Sequence, residues 1–428
     1  MRRLPRLERE TRAGLQHQLL DMFGMRFQPA ERGPLGTVRP LDEAELRRLA
    51  VLASREDIPL VPAGAGSSPY GGAAARAGLQ VSFEQLNQVL ELEAEQQTIA
   101  VEPGATWQSV IDVSRRFGLM PQVYPSSRAF ATVGGFVAQG GVGVGSYAFG
   151  SIEHQVVRLR LINLAGEAEE LDGAAVGLGV GAEGRTGLLS AVTLRLQPFS
   201  EMRDVVGLFD RAAALEESLR RCAEDRLPLW SIAIIDPAVA GMHSRMGGLR
   251  QPVLELGHYA ALFSFRAAAA LNEPLWSVIE RCGGHISTAQ ASHDAWVDRF
   301  MGFQVLRTTR VPMQFFIPAS ALAELLRHLP AAVRESAGCE GVVVDGGAEV
   351  VVRFLLLHQP MLVERNWEMA ARLLELVRGL GGRSYSTGGF FLEEAEVTYG
   401  RDRLNRLRTF HQRQDPKDLL NPGKAFAS

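Results

Sequence analysis

A run of small residues near the N-terminus has the composition of a phosphate-binding loop. Seven of them follow a strand that we predict over residues 58–61: Pro62, Ala63, Gly64, Ala65, Gly66, Ser67 and Ser68. Consecutive main-chain N–H groups in such a loop can turn inward as an anion nest, and small side chains let a ligand approach the main chain. The loop lacks the lysine of a P-loop, which argues against nucleoside triphosphate hydrolysis. A tight structural turn is the alternative interpretation.

A second glycine-rich stretch, from Pro125 to Gly150, favours the binding interpretation. Seven of the 17 residues from 134 to 150 are glycine. So many glycines are costly inside a helix or a strand, so we predict an extended loop region. Two such loops, each beside a predicted strand, suit a long flat ligand with a diphosphate at its middle.

A third glycine pattern is weaker evidence for ligand binding. Residues 179–184 (GVGAEG) satisfy the dinucleotide pattern G-x-G-x-x-G. That motif requires a helix after it, because the pyrophosphate binds at the helix N-terminus. Residues 186–196 instead alternate like a β-strand. We therefore do not predict a Rossmann site here.

Composition excludes several classes of protein. Of the 428 residues, 46% are hydrophobic and 22% are charged, which rules out wholesale disorder. The net charge of −3 and interspersed charges give no basic patch for nucleic acid. Three cysteines are too few for an iron–sulfur cluster, so redox chemistry would need a bound carrier. No apolar run reaches the about 20 residues of a membrane span, and the N-terminus lacks a signal peptide, so we expect a cytoplasmic protein.

Periodicity and composition divide the chain into parts of mixed α and β structure. Residues 1–199 combine helices, such as 41–54, with strands, and the boundary between two lobes is predicted near 100–105. Glycine becomes less frequent after Pro198, and residues 200–385 form a second α+β domain by the alternation of helical and apolar β-type segments. Residues 386–428 form a C-terminal segment with a basic helix.

The order of several segments resembles a known family. They are 58–67 (IPLVPAGAGS), 101–107 (VEPGATW), 118–125 (GLMPQVYP), 131–135 (ATVGG), 184–196 (GRTGLLSAVTLRL) and 415–424 (DPKDLLNPGK). Together they resemble the flavoproteins with a vanillyl-alcohol-oxidase or p-cresol methylhydroxylase (PCMH) type FAD-binding domain, in particular the branch of the glycolate oxidase large subunit and D-lactate dehydrogenase. The resemblance implies a two-lobed FAD-binding domain, a substrate (cap) domain, and a tail that returns to the flavin.

Carried over residue by residue, the resemblance implies a set of cofactor-binding positions. The diphosphate would lie against 62–68 and against a second group: Pro125, Ser126, Ser127, Ala131, Thr132, Gly134 and Gly135. Further residues would line the cofactor elsewhere: Gly140, Gly141, Gly145, Tyr147 and Val192. Asn421 would lie beside the isoalloxazine ring. Positions 62–72 contain no histidine and the cysteine nearest the second loop is Cys222, so FAD is expected to be held non-covalently.

The substrate half departs from the family pattern. Dehydrogenases of this branch carry a histidine-rich metal-binding segment and a Glu-His-Gly run. The corresponding segments here offer His358 as their only histidine and no Glu-His pair, so we do not expect a metal site.

A hydroxylated substrate needs a cation for its carboxylate and a base for its hydroxyl proton. Candidate catalytic residues are Arg310, His358 and Tyr385, and we also considered Arg353 and Tyr399. For each, a solvent-exposed or purely structural role is the alternative.

We therefore expect an FAD-dependent dehydrogenase acting on a small hydroxylated molecule, most simply a 2-hydroxy acid such as glycolate or lactate. Electrons would leave to an external acceptor, an iron–sulfur partner protein or a quinone, in a complex of which this chain could be one subunit. An alternative is an FAD-binding accessory or electron-transfer subunit without substrate chemistry of its own. A redox enzyme of the same superfamily acting on a larger carbohydrate or sterol-like substrate is a third hypothesis.

Overall fold

The computed structural model describes residues 9–246, 257–298, 313–329, 333, 337–356 and 363–427. These residues form a mixed α+β protein, as the sequence predicts, and it contains three β-sheets. The strand predicted after the G-x-G-x-x-G pattern is present at Leu188–Pro198.

The first lobe contains a four-stranded sheet and two helices. Its strands are β1 (Phe27–Pro29), β2 (Gly36–Val38), β3 (Leu60–Ala63) and β4 (Leu79–Ser82), and its helices are α1 (Arg9–Phe23) and α2 (Glu43–Arg55). The strand order is β1-β2-β4-β3, with β2, β4 and β3 parallel. Helix α2 begins at Asp42, whose side chain accepts a hydrogen bond from the Glu45 N–H. The parallel strands end where the first glycine loop begins, so this edge of the sheet positions the loop.

The second lobe contains a sheet of six strands. They are β5 (Val89–Glu93), β6 (Thr98–Val101), β7 (Leu119–Pro121), β8 (Val156–Ile162), β9 (Ala168–Asp172) and β10 (Leu188–Pro198), with helices α3 (Trp107–Arg115), α4 (Val133–Ala138) and α5 (Ser146–Phe149). The order is β5-β6-β10-β8-β9, and β7 also pairs with β10. The sheets change between residues 82 and 89, so the boundary predicted near 100–105 lies too far along the chain. The reason is that β5 and β6 pair as a hairpin within one sheet.

The cap domain contains an eight-stranded antiparallel sheet. Its strands are β11 (Met202–Phe209), β12 (Ser231–Ile235), β13 (Tyr259–Arg266), β14 (His285–Ile286), β15 (Gln314–Pro318), β16 (Ala337–Val344), β17 (Glu349–Leu356) and β18 (Arg383–Ser384). Its helices are α6 (Ala212–Glu224), α7 (Pro237–Met246), α8 (Asn272–Arg281), α9 (Ala289–Asp298), α10 (Leu322–His328) and α11 (Val363–Gly379). The order is β14-β11-β13-β12-β16-β17-β15-β18.

The two faces of the cap sheet have different neighbours. On one face, alternate apolar residues pack against helices α6, α8, α10 and α11 in the largest hydrophobic core. On the other face, Ala233, Ile235 and Leu355 share a core with Val144 of the second lobe. The cap sheet therefore turns this second face toward the two lobes. Residues on that face can reach a site between the cap sheet and the lobes.

The C-terminal segment returns to both lobes. It contains helices α12 (Ala395–Tyr399) and α13 (Arg401–Gln414), and Leu420 forms a parallel bridge with Leu60 of β3. Fully buried Arg185 pairs with Asp418 at 2.7 Å and donates to the Leu420 carbonyl. In the part of the chain that the structure describes, no helix has the length and apolar character needed to cross a bilayer.

Candidate active site

One cleft lies between the two lobes and the cap sheet, and it encloses about 1710 Å³ including the open space at its mouth. Most of the predicted site residues line it: Pro62, Ala63, Gly64, Ala65, Gly66, Ser67, Ser68, Pro125, Ser126, Ser127, Ala131, Thr132, Gly134, Gly135, Tyr385 and Asn421. The structure therefore brings together segments that are up to about 350 residues apart in the chain. Because its lining extends from the first loop across the second loop to the cap sheet, the cleft suits an extended ligand.

The first loop follows β3 and presents main-chain donors to the cleft. The N–H groups of residues 64–68 donate no hydrogen bond to any described residue. Gly66 has φ of +63°, a left-handed conformation that favours glycine. Residues 65–67 are exposed and 64 and 68 half-buried, so these amides are open to a bound ligand or to water. This loop therefore has the donors that an anion nest requires.

The second loop packs directly against the first. A Cβ atom on Gly64 would lie 2.2 Å from Thr132 Oγ1, so only glycine allows this approach. Thr132 caps α4 by accepting from the Gly135 N–H at 3.3 Å. At the other end of α4, Gln139 donates to Ser68 Oγ at 2.6 Å. The two loops thus form one unit, with the serines of 126–127 beside them in the same cleft.

Five predicted cofactor residues do not line this cleft, and their contact with a cofactor stays a prediction. Gly140, Gly141 and Gly145 serve close packing, because a Cβ on them would meet Gly181, the Phe136 ring and the Gln122 carbonyl, respectively. The other two are apolar core residues: Tyr147 packs in the cap core and Val192 in the core of the second lobe. Glycine density alone does not distinguish a ligand contact from a tight backbone crossing.

Two of the three predicted catalytic residues, Arg310 and His358, lie outside the described residues. The third, Tyr385, lines the cleft just after β18. Its hydroxyl accepts the Val142 N–H at 3.2 Å, and its ring stacks on Phe316 with a centroid distance of 5.6 Å. Burial raises the pKa of Tyr385 to about 12, so the hydroxyl stays protonated at neutral pH and can act as a donor.

The C-terminal tail contributes Asn421 to the cleft. Its Nδ2 donates to the carbonyls of Gly72 at 3.1 Å and Glu183 at 2.6 Å, while its buried Oδ1 has no partner among the described residues. The residue is 1% exposed and adopts φ of +44°. A buried acceptor of this kind is satisfied by an N–H of a bound ligand. The imide edge of a flavin ring offers such a group.

Glu183 is a cleft residue that sequence analysis missed. Burial raises the pKa of this carboxyl group, which accepts from Ser386 Oγ and from the Gly388 N–H at 3.0 Å. Next to it, Gly184 packs so closely on Pro62 that a Cβ would lie 2.3 Å from Cγ of the proline. The G-x-G-x-x-G pattern therefore has a role in the cleft, although it does not open a helix. Its position between the tail and the first loop was not visible from spacing.

The side of the cleft formed by the cap sheet, here called the cap wall, adds a row of polar side chains. Sequence analysis considered Arg353 by itself and did not predict the row. Glu340, Arg353 and Gln314 lie opposite one another on β16, β17 and β15, and all three line the cleft. Arg353 and Glu340 form an ion pair, with side chains 14% and 4% exposed. Val342 and Val351 line the cleft beside them. The wall thus offers a buried guanidinium, paired with a carboxylate, beside two apolar side chains.

One group of potential metal-ligand side chains occurs among the described residues, in the tail. Atoms of His411, Asp415 and Asp418 lie within 4.8 Å of one another. Asp415 accepts from the N–H groups of Leu419 and Leu420, and Asp418 accepts from Arg185. These contacts give the cluster a structural role, because they hold the C-terminal tail in place. We call this group of contacts the clasp.

Comparison with known proteins identifies the lobes. Residues 34–172 match a family described as an FAD binding domain. The chain is 24% identical to the glycolate oxidase subunit GlcD of Bacillus subtilis, over 92% of this chain and 89% of that protein. It is 29% identical to a D-2-hydroxyglutarate dehydrogenase of Xanthomonas citri pv. viticola, over 99% of this chain and 95% of that protein.

Two solved structures share the fold at 15% identity. An alkyldihydroxyacetonephosphate synthase superposes with a TM-score of 0.74 over 98% of this chain and 85% of its own. p-Cresol methylhydroxylase with bound substrate gives 0.74 over 96% of this chain and 92% of its own. The free amides of 64–68 and the orphaned Asn421 Oδ1 fit the diphosphate and ring of FAD. The chain therefore has the PCMH-type fold and contains an FAD binding domain over residues 34–172, and as a whole it resembles the branch of the glycolate oxidase large subunit and D-lactate dehydrogenase.

Proposed function

We propose that this enzyme dehydrogenates a small 2-hydroxy acid and passes the electrons to an external acceptor. The observation that carries the proposal is the position of Arg353, a buried cation on the cap wall of the cleft that contains the cofactor loops. Arginine binds carboxylates through paired N–H donors, and such contacts are strong in a water-poor site. The relatives named for glycolate, D-lactate and D-2-hydroxyglutarate oxidation support the same substrate class.

The residues of the cleft have separable roles in this proposal. Residues 64–68 and the 126–127 serines would hold the diphosphate of non-covalent FAD, and Asn421 the ring. FAD when bound supplies a hydride acceptor for the carbinol carbon. Arg353 would hold the substrate carboxylate, and Tyr385 would orient an oxygen of the substrate by donating a hydrogen bond. Val342 and Val351 would limit the water and the size of the substrate beside them.

Anaerobic titration of the FAD-loaded protein tests this function. Glycolate, D- and L-lactate and D-2-hydroxyglutarate are added separately while the visible flavin absorbance is followed. We expect at least one of them to bleach the flavin, and Arg353→Met to slow that reduction by about 100-fold while FAD stays bound. A protein that dithionite reduces and no hydroxy acid reduces would contradict the proposal and favour an accessory role. The acceptor is tested in the same preparation by reoxidation with a quinone and with an iron–sulfur protein.

A further inference from the structure

The side chain of Tyr70 connects the first loop with the cap sheet. Tyr70 follows the amide loop of residues 64–68 by two positions, and the residue is 1% exposed. Its hydroxyl donates a hydrogen bond of 2.6 Å to the main-chain carbonyl of Gln314, the first residue of β15. Both residues line the cleft. The loop that we assign to the diphosphate of FAD is therefore joined to the cap wall by one side chain.

The carbonyl that accepts from Tyr70 also holds Tyr385. The Tyr385 N–H donates to the Gln314 carbonyl at 3.1 Å, and the centroids of the two tyrosine rings lie 6.1 Å apart. The Tyr70 hydroxyl also interacts with the hydroxyl of Ser384. Ser384 and Tyr385 lie at the edge of the cap sheet, where β18 pairs with β15 through two residue pairs. Because so short a strand has few hydrogen bonds of its own, the contacts of Tyr70 help to fix the residue that follows it.

The main chain of Tyr70 is fixed from the side of the tail. The Gly389 N–H donates to the Tyr70 carbonyl at 3.0 Å, and a Cβ atom on Gly388 would lie 2.2 Å from the same carbonyl oxygen. The ring of Tyr70 contacts Phe391 edge-on, with the centroids 6.2 Å apart. Since both its main chain and its ring are held, the Tyr70 hydroxyl has a defined position from which to hold β15 and β18.

The hydroxyl of Tyr385 depends on this position. It accepts from the Val142 N–H of the second loop, so its own hydrogen remains for a ligand in the cleft. A donor acts on a reacting group when the two heavy atoms lie about 3 Å apart, and a small misplacement lowers the rate. The bond between the Tyr385 N–H and the Gln314 carbonyl is therefore part of the geometry that the substrate meets.

We propose that Tyr70 is a positioning residue of the substrate site, which holds Tyr385 through the Gln314 carbonyl and Ser384 so that the Tyr385 hydroxyl can contact the substrate. This inference rests on the proposed function and adds to it a residue that acts on the substrate through another. Its hydroxyl is engaged by Gln314 and Ser384. Loss of that hydroxyl should therefore affect the rate of reduction more than the binding of the substrate carboxylate.

Stopped-flow reduction of the FAD-loaded protein tests this role in wild type, Tyr70→Phe, Tyr385→Phe and the double variant. The substrate is whichever of glycolate, D- and L-lactate and D-2-hydroxyglutarate reduces wild type. We expect Tyr70→Phe, which keeps the ring, to lower the limiting rate by up to about tenfold, the effect expected for loss of the Tyr385 hydrogen bond. The half-saturating substrate concentration should change by less than about twofold. In the Tyr385→Phe background the same substitution should cause no further slowing, because the group that it positions is absent.

Hydrogen exchange gives a second readout without turnover. In the FAD-loaded protein without substrate, peptides that cover residues 383–386 should exchange at least about threefold faster in Tyr70→Phe than in wild type. Peptides from β4 in the same sample should exchange as in wild type. Tyr399→Phe is the control for the rates, because it loses a buried, hydrogen-bonded hydroxyl that does not line the cleft. It should be reduced as fast as wild type.

The outcomes distinguish this inference from the proposed function. A Tyr70→Phe variant that a hydroxy acid reduces as fast as wild type would overturn the positioning role alone. Slowing that multiplies in the double variant would also overturn it, because Tyr70 would then act independently of Tyr385. Loss of FAD from Tyr70→Phe would overturn it too and would assign the residue to the cofactor loop. If no hydroxy acid reduces wild type, the proposed function fails, and exchange at 383–386 decides by itself whether Tyr70 holds Tyr385.

Discussion

The two walls of the cleft recognise ligands by different means. On the side of the lobes, the functional groups are main-chain amides of residues 64–68, and the glycines there allow the close approach of two loops. On the side of the cap, the functional groups are side chains: Glu340, Arg353, Gln314 and Tyr385. The first wall needs only a local backbone shape. The second needs Glu340, Arg353 and Gln314 from three strands, and Tyr385 from just after a fourth, to meet on one surface.

This difference suits the two ligands that the cleft must hold. A diphosphate is the same in every use of the cofactor, and amides that lack side-chain functions recognise it adequately. Substrates differ between relatives of one fold, and side chains on a sheet can be exchanged without disturbing the backbone. We infer that the side of the cleft formed by the lobes, here called the lobe wall, binds the cofactor, and that the cap wall determines which substrate reacts.

The substitution that should impair FAD binding by the lobe wall most is Gly64→Val. The new Cβ would lie 2.2 Å from Thr132 Oγ1, so the two loops must separate. We expect the purified protein to lose essentially all bound FAD, measured as the ratio of visible flavin absorbance to protein absorbance. Circular dichroism should show that the strands are retained.

A matched glycine shows whether the loss is specific. Gly379 ends α11 and does not line the cleft, and a Cβ atom added to it would meet no described atom within 4 Å. Gly379→Val should keep its FAD. Flavin retained by Gly64→Val, or lost equally by both variants, would contradict the role of the loop contact.

The lobe wall could be predicted from sequence because its information is local. Proline, glycine and serine after a strand specify a loop with free amides, whatever the rest of the chain does. The same reasoning assigned Gly140, Gly141 and Gly145 to the cofactor, but they do not line the cleft, and their crowding reflects contacts with Gly181, Phe136 and Gln122 that are made only in the folded chain. Local composition indicates a special backbone, but it does not tell what approaches it.

The cap wall could not be predicted in the same way. The sequence indicates apolar β-type segments in this domain and offers Arg353 as a candidate, yet a solvent-exposed position of Arg353 is equally consistent with alternation along a strand. Its partner is set by the register of β16 against β17, which places Arg353 opposite Glu340 and, through β15, opposite Gln314. A shift of one residue would turn the row to the other face. Register between distant strands is a property of the whole sheet.

The C-terminal tail carries Asn421, the side chain that we expect beside the flavin ring. Loosening the tail should therefore show how much FAD binding depends on Asn421. Arg185 is fully buried and holds the tail through Asp418 and the Leu420 carbonyl. Arg185→Met removes the buried donor to the Leu420 carbonyl and the charge that pairs with half-exposed Asp418, and we expect a loss of about 1–3 kcal/mol in the free energy of unfolding, measured with denaturant. FAD affinity should fall as well, but less than in Gly64→Val, because the amide loop remains.

The control for this variant is an arginine on the surface. Arg220 makes ion pairs within α6 with a side chain that is 50% exposed. Arg220→Met should change the free energy of unfolding much less than Arg185→Met does. If Arg185→Met retains both stability and FAD affinity, the clasp has no role in positioning Asn421.

On the cap side, we expect the loss of the Tyr385 hydroxyl group to have a smaller effect than the substitutions above. Tyr385→Phe keeps the ring stacked on Phe316 and removes only the hydroxyl, which lines the cleft and accepts from the Val142 N–H. We expect FAD to stay bound and the limiting rate of reduction by a hydroxy acid to fall by about tenfold, the value of one hydrogen bond in a buried site. Because burial raises the pKa of Tyr385 to about 12, its loss should not alter the pH profile below about pH 10.

Tyr399→Phe provides the comparison, since Tyr399 is also a buried tyrosine whose hydroxyl makes hydrogen bonds, to Gly181 and Thr387, yet it does not line the cleft. This variant should be reduced at the wild-type rate. Equal slowing in both variants would mean that loss of a buried hydroxyl acts through general loosening of the structure. Slowing in Tyr385→Phe alone would show that a side chain of the cap wall acts on the substrate while the amides of the lobe wall continue to hold the cofactor.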